Sequence, residues 1–123
     1  MKVSIITTVL NAHDTLLDSL ESLWAQDYPK IEHVVIDGGS TDGTIEYLEK
    51  QSIRYIVNPN STRAARLNIG IEKASFDYIL LQHPRSMIAP EGLDYLSLQY
   101  KKLNWAAFTH QFDHPHYLLK FIS

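Results

Sequence analysis

Val34-Val35-Ile36-Asp37-Gly38-Gly39-Ser40-Thr41-Asp42-Gly43-Thr44 runs from an apolar, β-branched segment through a glycine-rich turn into a helix start. In an open α/β sheet, ligands bind at such junctions, beyond the carboxyl ends of strands. Asp37 stands at the strand's exit, and Gly38 and Gly39 let backbone approach a ligand closely. Asp42 or Thr41 is then expected to cap the next helix by accepting from its free N–H groups. The stretch reads as a candidate nucleotide site.

Outward from it, strands and helices alternate. Val3 to Thr8 is a continuous β-prone run suited to a strand buried on both faces. Asn11 to Asp14 offers turn and cap residues, and Leu16, Leu17, Leu20, Leu23 and Trp24 follow at helical spacing. Tyr28-Pro29 is expected to end that helix. Glu32 to Asp37 forms the second strand, Thr44 to Lys50 a short helix with Ile45 and Leu48 inward, and Ile53 to Val57 a third strand. A helix over about Arg63 to Ala74 precedes a fourth strand at Tyr78 to Leu81. His83-Pro84-Arg85-Ser86 reads as a loop, and Pro90 opens a helix reaching about Lys102. Trp105 to Phe108 offers a fifth strand, His110 to His116 looks irregular, and Tyr117 to Ile122 is a short apolar tail. Trp24, Tyr47 and Phe76 are core candidates. This order predicts an α/β fold: three layers and a mostly parallel sheet with right-handed crossovers, in one domain without repeat or linker.

The composition narrows the function. At 123 residues, 45% hydrophobic and 20% charged, the chain suits one ordinary globular domain. A net charge of −3 and the absence of a basic, aromatic-interleaved cluster argue against nucleic acid and against anionic membranes. Without cysteine there is no disulfide or thiolate chemistry, which is compatible with a reducing compartment. No apolar run reaches the roughly 18 residues of a membrane span, and no signal-peptide pattern follows Met1. The expected location is cytoplasmic, with peripheral membrane attachment left open.

Three runs then bring a family into view. Ser4-Ile5-Ile6-Thr7-Thr8-Val9-Leu10-Asn11-Ala12, Ser22-Leu23-Trp24-Ala25-Gln26-Asp27-Tyr28-Pro29 and Asp37 to Thr44 resemble, in order and spacing, family 2 glycosyltransferases. Ala64-Ala65-Arg66-Leu67-Asn68-Ile69-Gly70-Ile71 adds a weaker match. The resemblance implies the nucleotide-binding half of the GT-A fold. It implies that Asp37 accepts a hydrogen bond from the base of a nucleotide diphosphate sugar, uracil N–H before guanine, with backbone from Thr8 to Asn11 lining the same pocket. It further implies that Arg63 or Arg66 reaches the diphosphate, whose paired oxygens suit a guanidinium fork. Read from the residues alone, Asp37 has an alternative as the closure of its own turn, and Ser40 and Asp42 read as capping residues.

The chain also departs from that family. Its Asp-x-Asp triplet follows the fourth strand and holds Mg²⁺ or Mn²⁺ on the donor phosphates. The two positions here are His83 and Arg85. Arg85 either takes the ion's place beside the diphosphate or marks lost metal-dependent catalysis, and the second reading is preferred. No cofactor is therefore expected. His13 stands where relatives often carry an acid. The family's acceptor site and catalytic base belong to a C-terminal half expected to be missing here. Glu91 and Asp94 read as surface charges, Asp113 is an unsupported base, and the catalytic residues are unknown. His110-Gln111-Phe112-Asp113-His114-Pro115-His116 lacks the spacing of a zinc site. The leading expectation is a transferase of sugar to a glycan or lipid-linked hydroxyl, inactive or weak in isolation. Its rivals are an inactive nucleotide-sugar-binding or partner-binding remnant, as a homo-oligomer or with another protein, and a nucleotidyltransferase-like protein. The last is disfavoured because Thr7 to Asn11 contains no glycine.

Overall fold

A computed structural model describes residues 1–26, 28–99, 101, 107–113 and 116–122. Its elements run β1 (Val3–Val9), α1 (His13–Trp24), β2 (Ile31–Asp37), α2 (Thr44–Lys50), β3 (Tyr55–Val57), α3 (Arg63–Lys73), β4 (Tyr78–Gln82), β5 (Ser86–Ile88), α4 (Gly92–Gln99), β6 (Ala107–Asp113) and β7 (His116–Ile122). Contacts gather them into two compact units, one of residues 2–15 and 30–84, the other of residue 1 with 16–29 and 85–123.

The first unit holds a four-stranded, all-parallel sheet in the order β3-β2-β1-β4. All seven residues of β1 are buried, the polar Ser4, Thr7 and Thr8 among them, as suits a β-branched central strand. Its alternate residues face opposite ways, and Ile6 joins Val34 and Ile36 of β2 in a core cluster. Ile56, Leu67, Ile69 and Ala74 pack against that cluster. Thr62 caps α3, its hydroxyl accepting the Ala65 N–H at 3.1 Å. β4 is an edge strand, and Tyr78, Ile79 and Leu81 are exposed on it.

Polar side chains tie the amino ends of the strands together. Glu32 accepts from the Ser4 hydroxyl at 2.6 Å, the Ser75 N–H at 2.8 Å, the Ser75 hydroxyl at 2.9 Å and Arg54 at 3.0 Å. Burial by itself would raise the pKa of this carboxyl, but the bonds from Ser4 and Ser75 and the Arg54 charge outweigh it and hold the carboxyl below its ordinary value.

His33 lies one residue further along β2, with Nε2 2.9 Å from the Thr7 hydroxyl. Burial pushes its imidazole down from 6.5 to about 4. The unfolded chain therefore binds an extra proton between those values, so stability must fall as pH drops from 6.5 towards 4. At about 1.4 kcal/mol per unit the full loss approaches about 3 kcal/mol. Urea midpoints measured across this window should decline in the parent chain and stay nearly flat in His33→Gln, which keeps a hydrogen-bonding group for Thr7 but cannot titrate. A parallel decline in His33→Gln would assign the effect to other groups.

In the second unit Gln26 joins three pieces of chain. Its amide donates to the carbonyls of Ser22 and Ala89 at 3.1 and 2.9 Å and accepts the Leu93 N–H at 3.1 Å. A second sheet runs β5-β7-β6, with β5 parallel and β6 antiparallel to β7.

Several elements differ from the sequence reading. Residues 110–113, expected to be irregular, belong to β6, His116 and the apolar tail belong to β7, and Ser86 starts a strand rather than closing a loop. Helix α1 stops at Trp24, before the Tyr28-Pro29 signal, because Gln26 turns the chain there with its side-chain bonds. Trp24 is 52% exposed and is no core residue. Asp27, Lys102, Trp105, Ala106, His114 and Pro115 lie outside the described residues, as do the side chains of His110, Asp113 and His116. The zinc-spacing and base readings of that segment fall there.

Candidate functional site

The site builds up from the carboxyl ends of β1 and β2, which the ladder carries side by side to the pair Val9 and Asp37. One bond extends the pairing, from the Gly38 N–H to the Val9 carbonyl at 2.9 Å. Both strands then turn into loops, and the loops stay together through side chains.

Asp37 is fully buried. Its Oδ1 accepts the backbone N–H groups of Gly39 and Ser40, each at 2.7 Å, and its Oδ2 accepts the Ser40 hydroxyl at 2.6 Å. The carboxylate thus closes its own turn, the alternative that the residues left open. Gly39 and Gly43 both have φ of 96°, a left-handed conformation that costs glycine little.

Gly43, not Asp42 or Thr41, occupies the N-cap position of α2. Asp42 nevertheless does the capping work from one residue earlier. Its Oδ1 accepts the Thr44 N–H at 3.1 Å together with the Thr44 hydroxyl, and its Oδ2 accepts the His13 N–H at 3.1 Å. One carboxylate therefore serves the first residues of two helices, α1 and α2. Burial would raise its pKa, but the Thr44 hydroxyl and these N–H groups outweigh burial and lower it. The His13 ring meets Tyr47 edge to face, with centroids 6.1 Å apart.

Opposite the turn, Gly38 is covered by Arg66. A methyl at Gly38 would stand 2.7 Å from Arg66 Nη1, 3.2 Å from its Cζ and 3.4 Å from Leu10 Cδ1. Arg66 is only 8% exposed, and its Nη1 donates to the Ser61 carbonyl at 2.6 Å and meets the Ser61 hydroxyl at 3.2 Å. Its Nε is buried without a hydrogen-bond partner among the described residues. A buried donor left so costs about 1–3 kcal/mol, a cost that a bound acceptor removes.

Of the expected site residues, Asp37, Arg66 and the Thr8–Asn11 backbone converge on this edge of the first unit. Thr8 is buried, Asn11 is exposed, and Arg63 is exposed on α3. His83 follows β4 in the first unit, which ends at Pro84, whereas Arg85 belongs to the second unit, and both are exposed. Leu10, 51% exposed beside Gly38, went unpredicted as an individual contact. The signal for it is its place between a buried strand and a turn, where a large exposed apolar group needs a reason.

A family model for glycosyl transferase family 2 matches residues 4–92. The chain belongs to that family. An uncharacterized glycosyltransferase of Haemophilus influenzae is 35% identical over 114 residues, covering 88% of this chain and 43% of the relative. Residues 1–349 of Staphylococcus aureus TarS, solved in complex with UDP-GlcNAc, superpose with a TM-score of 0.71 at 27% identity, covering 83% of this chain and 32% of that one. The Pyrobaculum calidifontis mannosyltransferase PcManGT, in complex with GDP-Man and Mn²⁺, gives a TM-score of 0.72 at 21% identity, over 93% and 36%. The fold is therefore the mostly parallel GT-A type, and this chain spans less than half the length of these glycosyltransferases.

The Mn²⁺ of the PcManGT complex is a property of that protein, and the described residues offer no comparable ligand set. A guanidinium at position 85 cannot ligate a cation, and among the described residues no group of three or more His, Cys, Asp or Glu side chains could hold one. Nor is any described helix long and apolar enough to cross a membrane.

Proposed function

We propose that this chain is the donor-binding part of a family 2 glycosyltransferase and holds a nucleotide diphosphate sugar at the carboxyl ends of β1 and β2. The observation that carries this reading is Arg66, a buried guanidinium against the Gly38 backbone whose Nε lacks an acceptor. A phosphate oxygen supplies that acceptor, and the missing side chain of Gly38 is what lets the guanidinium lie against the backbone there. Thr8 to Asn11 supply the base-facing backbone, and the exposed Leu10 side chain offers apolar surface beside Gly38. Arg63, exposed one turn from Arg66 on the same helix, adds positive charge for the diphosphate.

The UDP-GlcNAc complex of TarS supports a UDP-type donor. Transfer to a glycan or lipid-linked hydroxyl is the activity proposed for a full-length relative, and this chain alone is inactive or weak. With His83 and Arg85 in place of the carboxylates, donor binding here proceeds without a divalent ion.

Calorimetric titration with UDP and with GDP, each with and without Mn²⁺, tests this reading. Micromolar binding of UDP, unchanged by Mn²⁺, is the expected result. Failure to bind either nucleotide under all four conditions overturns the function, and binding that requires Mn²⁺ overturns the metal-free part of it.

A further inference from the structure

The two loops that frame the proposed nucleotide site are tied by side chains: Asp42 accepts the His13 N–H, and Ser40 and Asn11 add two further links. Ser40 Oγ accepts the Asn11 N–H at 2.9 Å and donates to Asp37 Oδ2 at 2.6 Å. The reciprocal bond runs from the Thr41 N–H to Asn11 Oδ1 at 2.8 Å. Asn11 holds φ at 51°, a conformation uncommon for residues with a side chain, though asparagine tolerates it better than most. A few bonds thus lock the β1–α1 turn onto the β2–α2 turn, and both of its backbone partners, Asn11 and Thr41, are exposed.

Beyond the Gly38–Val9 bond, no backbone hydrogen bond joins these two turns among the described residues. The ladder fixes where the strands end, and side chains fix where the loops go. We infer that Ser40 and Asn11 are positioning residues: they set the distance between the Thr8–Asn11 backbone and the Gly38–Gly39 backbone, and so the width of the cleft that takes a nucleotide. This rests on the donor-binding reading above. It assigns Asp37 the job of orienting Ser40, with base contact left to the backbone that Ser40 holds in place.

The arrangement separates affinity from stability. Ser40→Ala removes the link from Asp37 to Asn11 while leaving both Asp37–N–H bonds at Oδ1. Ser40→Thr keeps the hydroxyl. Asn11→Asp keeps an Oδ1 acceptor for the Thr41 N–H, whereas Asn11→Gly keeps the positive φ and loses the acceptor. Glu32→Gln serves as the control: it weakens the network at the amino ends of the strands, roughly 16 Å away along β2.

UDP titration and urea unfolding should be run on all five variants beside the parent chain. Ser40→Ala and Asn11→Gly are expected to weaken UDP binding about tenfold or more, with Ser40→Thr and Asn11→Asp close to the parent. Glu32→Gln is expected to lower the urea midpoint without changing UDP affinity. Unchanged affinity in Ser40→Ala, equal losses in Ser40→Thr, or an equal loss in Glu32→Gln would each overturn the positioning role while leaving the donor-binding reading intact. A parent chain that binds no nucleotide overturns both.

Discussion

Asp37→Ala is expected to destabilise the fold by about 2–4 kcal/mol and to abolish nucleotide binding. The carboxylate is fully buried and receives three donors, two of them backbone N–H groups of consecutive residues. Hydrogen bonds to charged acceptors contribute about 1.5–3 kcal/mol each, and a donor stranded on truncation costs about 1–3 kcal/mol unless water reaches it. Gly39 and Ser40 are half-buried, so water recovers part of the loss. The same truncation frees the Ser40 hydroxyl, and with it the grip on Asn11. Asp37→Asn should fall between parent and alanine. Its carbonyl oxygen still accepts both N–H groups, but its amide presents a donor to a hydroxyl that is itself donating. Urea unfolding of the three chains decides the matter. If Asp37→Ala loses UDP binding at unchanged stability, the carboxylate contacts the base directly, as the family resemblance implies, and the turn holds itself together without it.

That contrast shows what the sequence can and cannot carry. Strands β1 and β2 are legible because Val3 to Val9 is β-branched at every position but Ser4 and Val34 to Ile36 is wholly apolar and β-branched, the composition that strands buried on both faces favour. Helix α2 is legible from its start signal: Asp42 accepts the Thr44 N–H as the sequence leads one to expect, while Gly43 takes the left-handed N-cap position between them. The β6–β7 pair is harder. Phe108, His110 and Phe112 alternate with Thr109, Gln111 and Asp113, a period-two pattern that histidine and proline disguise as loop. Asp37 is legible as important but not in its role. An aspartate at a strand's exit carries the same letter whether it faces a ligand or its own turn. Only the positions of the Gly39 and Ser40 N–H groups distinguish the two. The same limit applies to Ser40, which reads as a cap from the sequence and whose bond to Asn11 spans 29 residues.

Gly70→Ala is expected to destabilise the protein by about 1–3 kcal/mol, although glycine to alanine in a helix interior ordinarily contributes about 1 kcal/mol of stability. Gly70 lies on the buried face of α3, and a methyl there would stand 2.3 Å from Ile6 Cγ2 and 3.5 Å from Ile36 Cγ1. Ile6 cannot retreat easily: it is fully buried at the centre of β1, and β1 is paired on both edges, to β2 and to β4. Helix α3 must therefore lift from the sheet. Arg66 sits one turn earlier on the same helix, so the lift moves its guanidinium off Gly38 and breaks its short bond to the Ser61 carbonyl. UDP affinity should fall together with stability in Gly70→Ala, and Gly70→Val should do both more severely because its added volume is larger. Urea midpoints and UDP titrations of the two variants test the coupling. Stability raised by about 1 kcal/mol in Gly70→Ala would mean that helix propensity outweighs the contact with Ile6. Stability lost with UDP affinity unchanged would instead detach Arg66 from the nucleotide and leave the diphosphate to other cations.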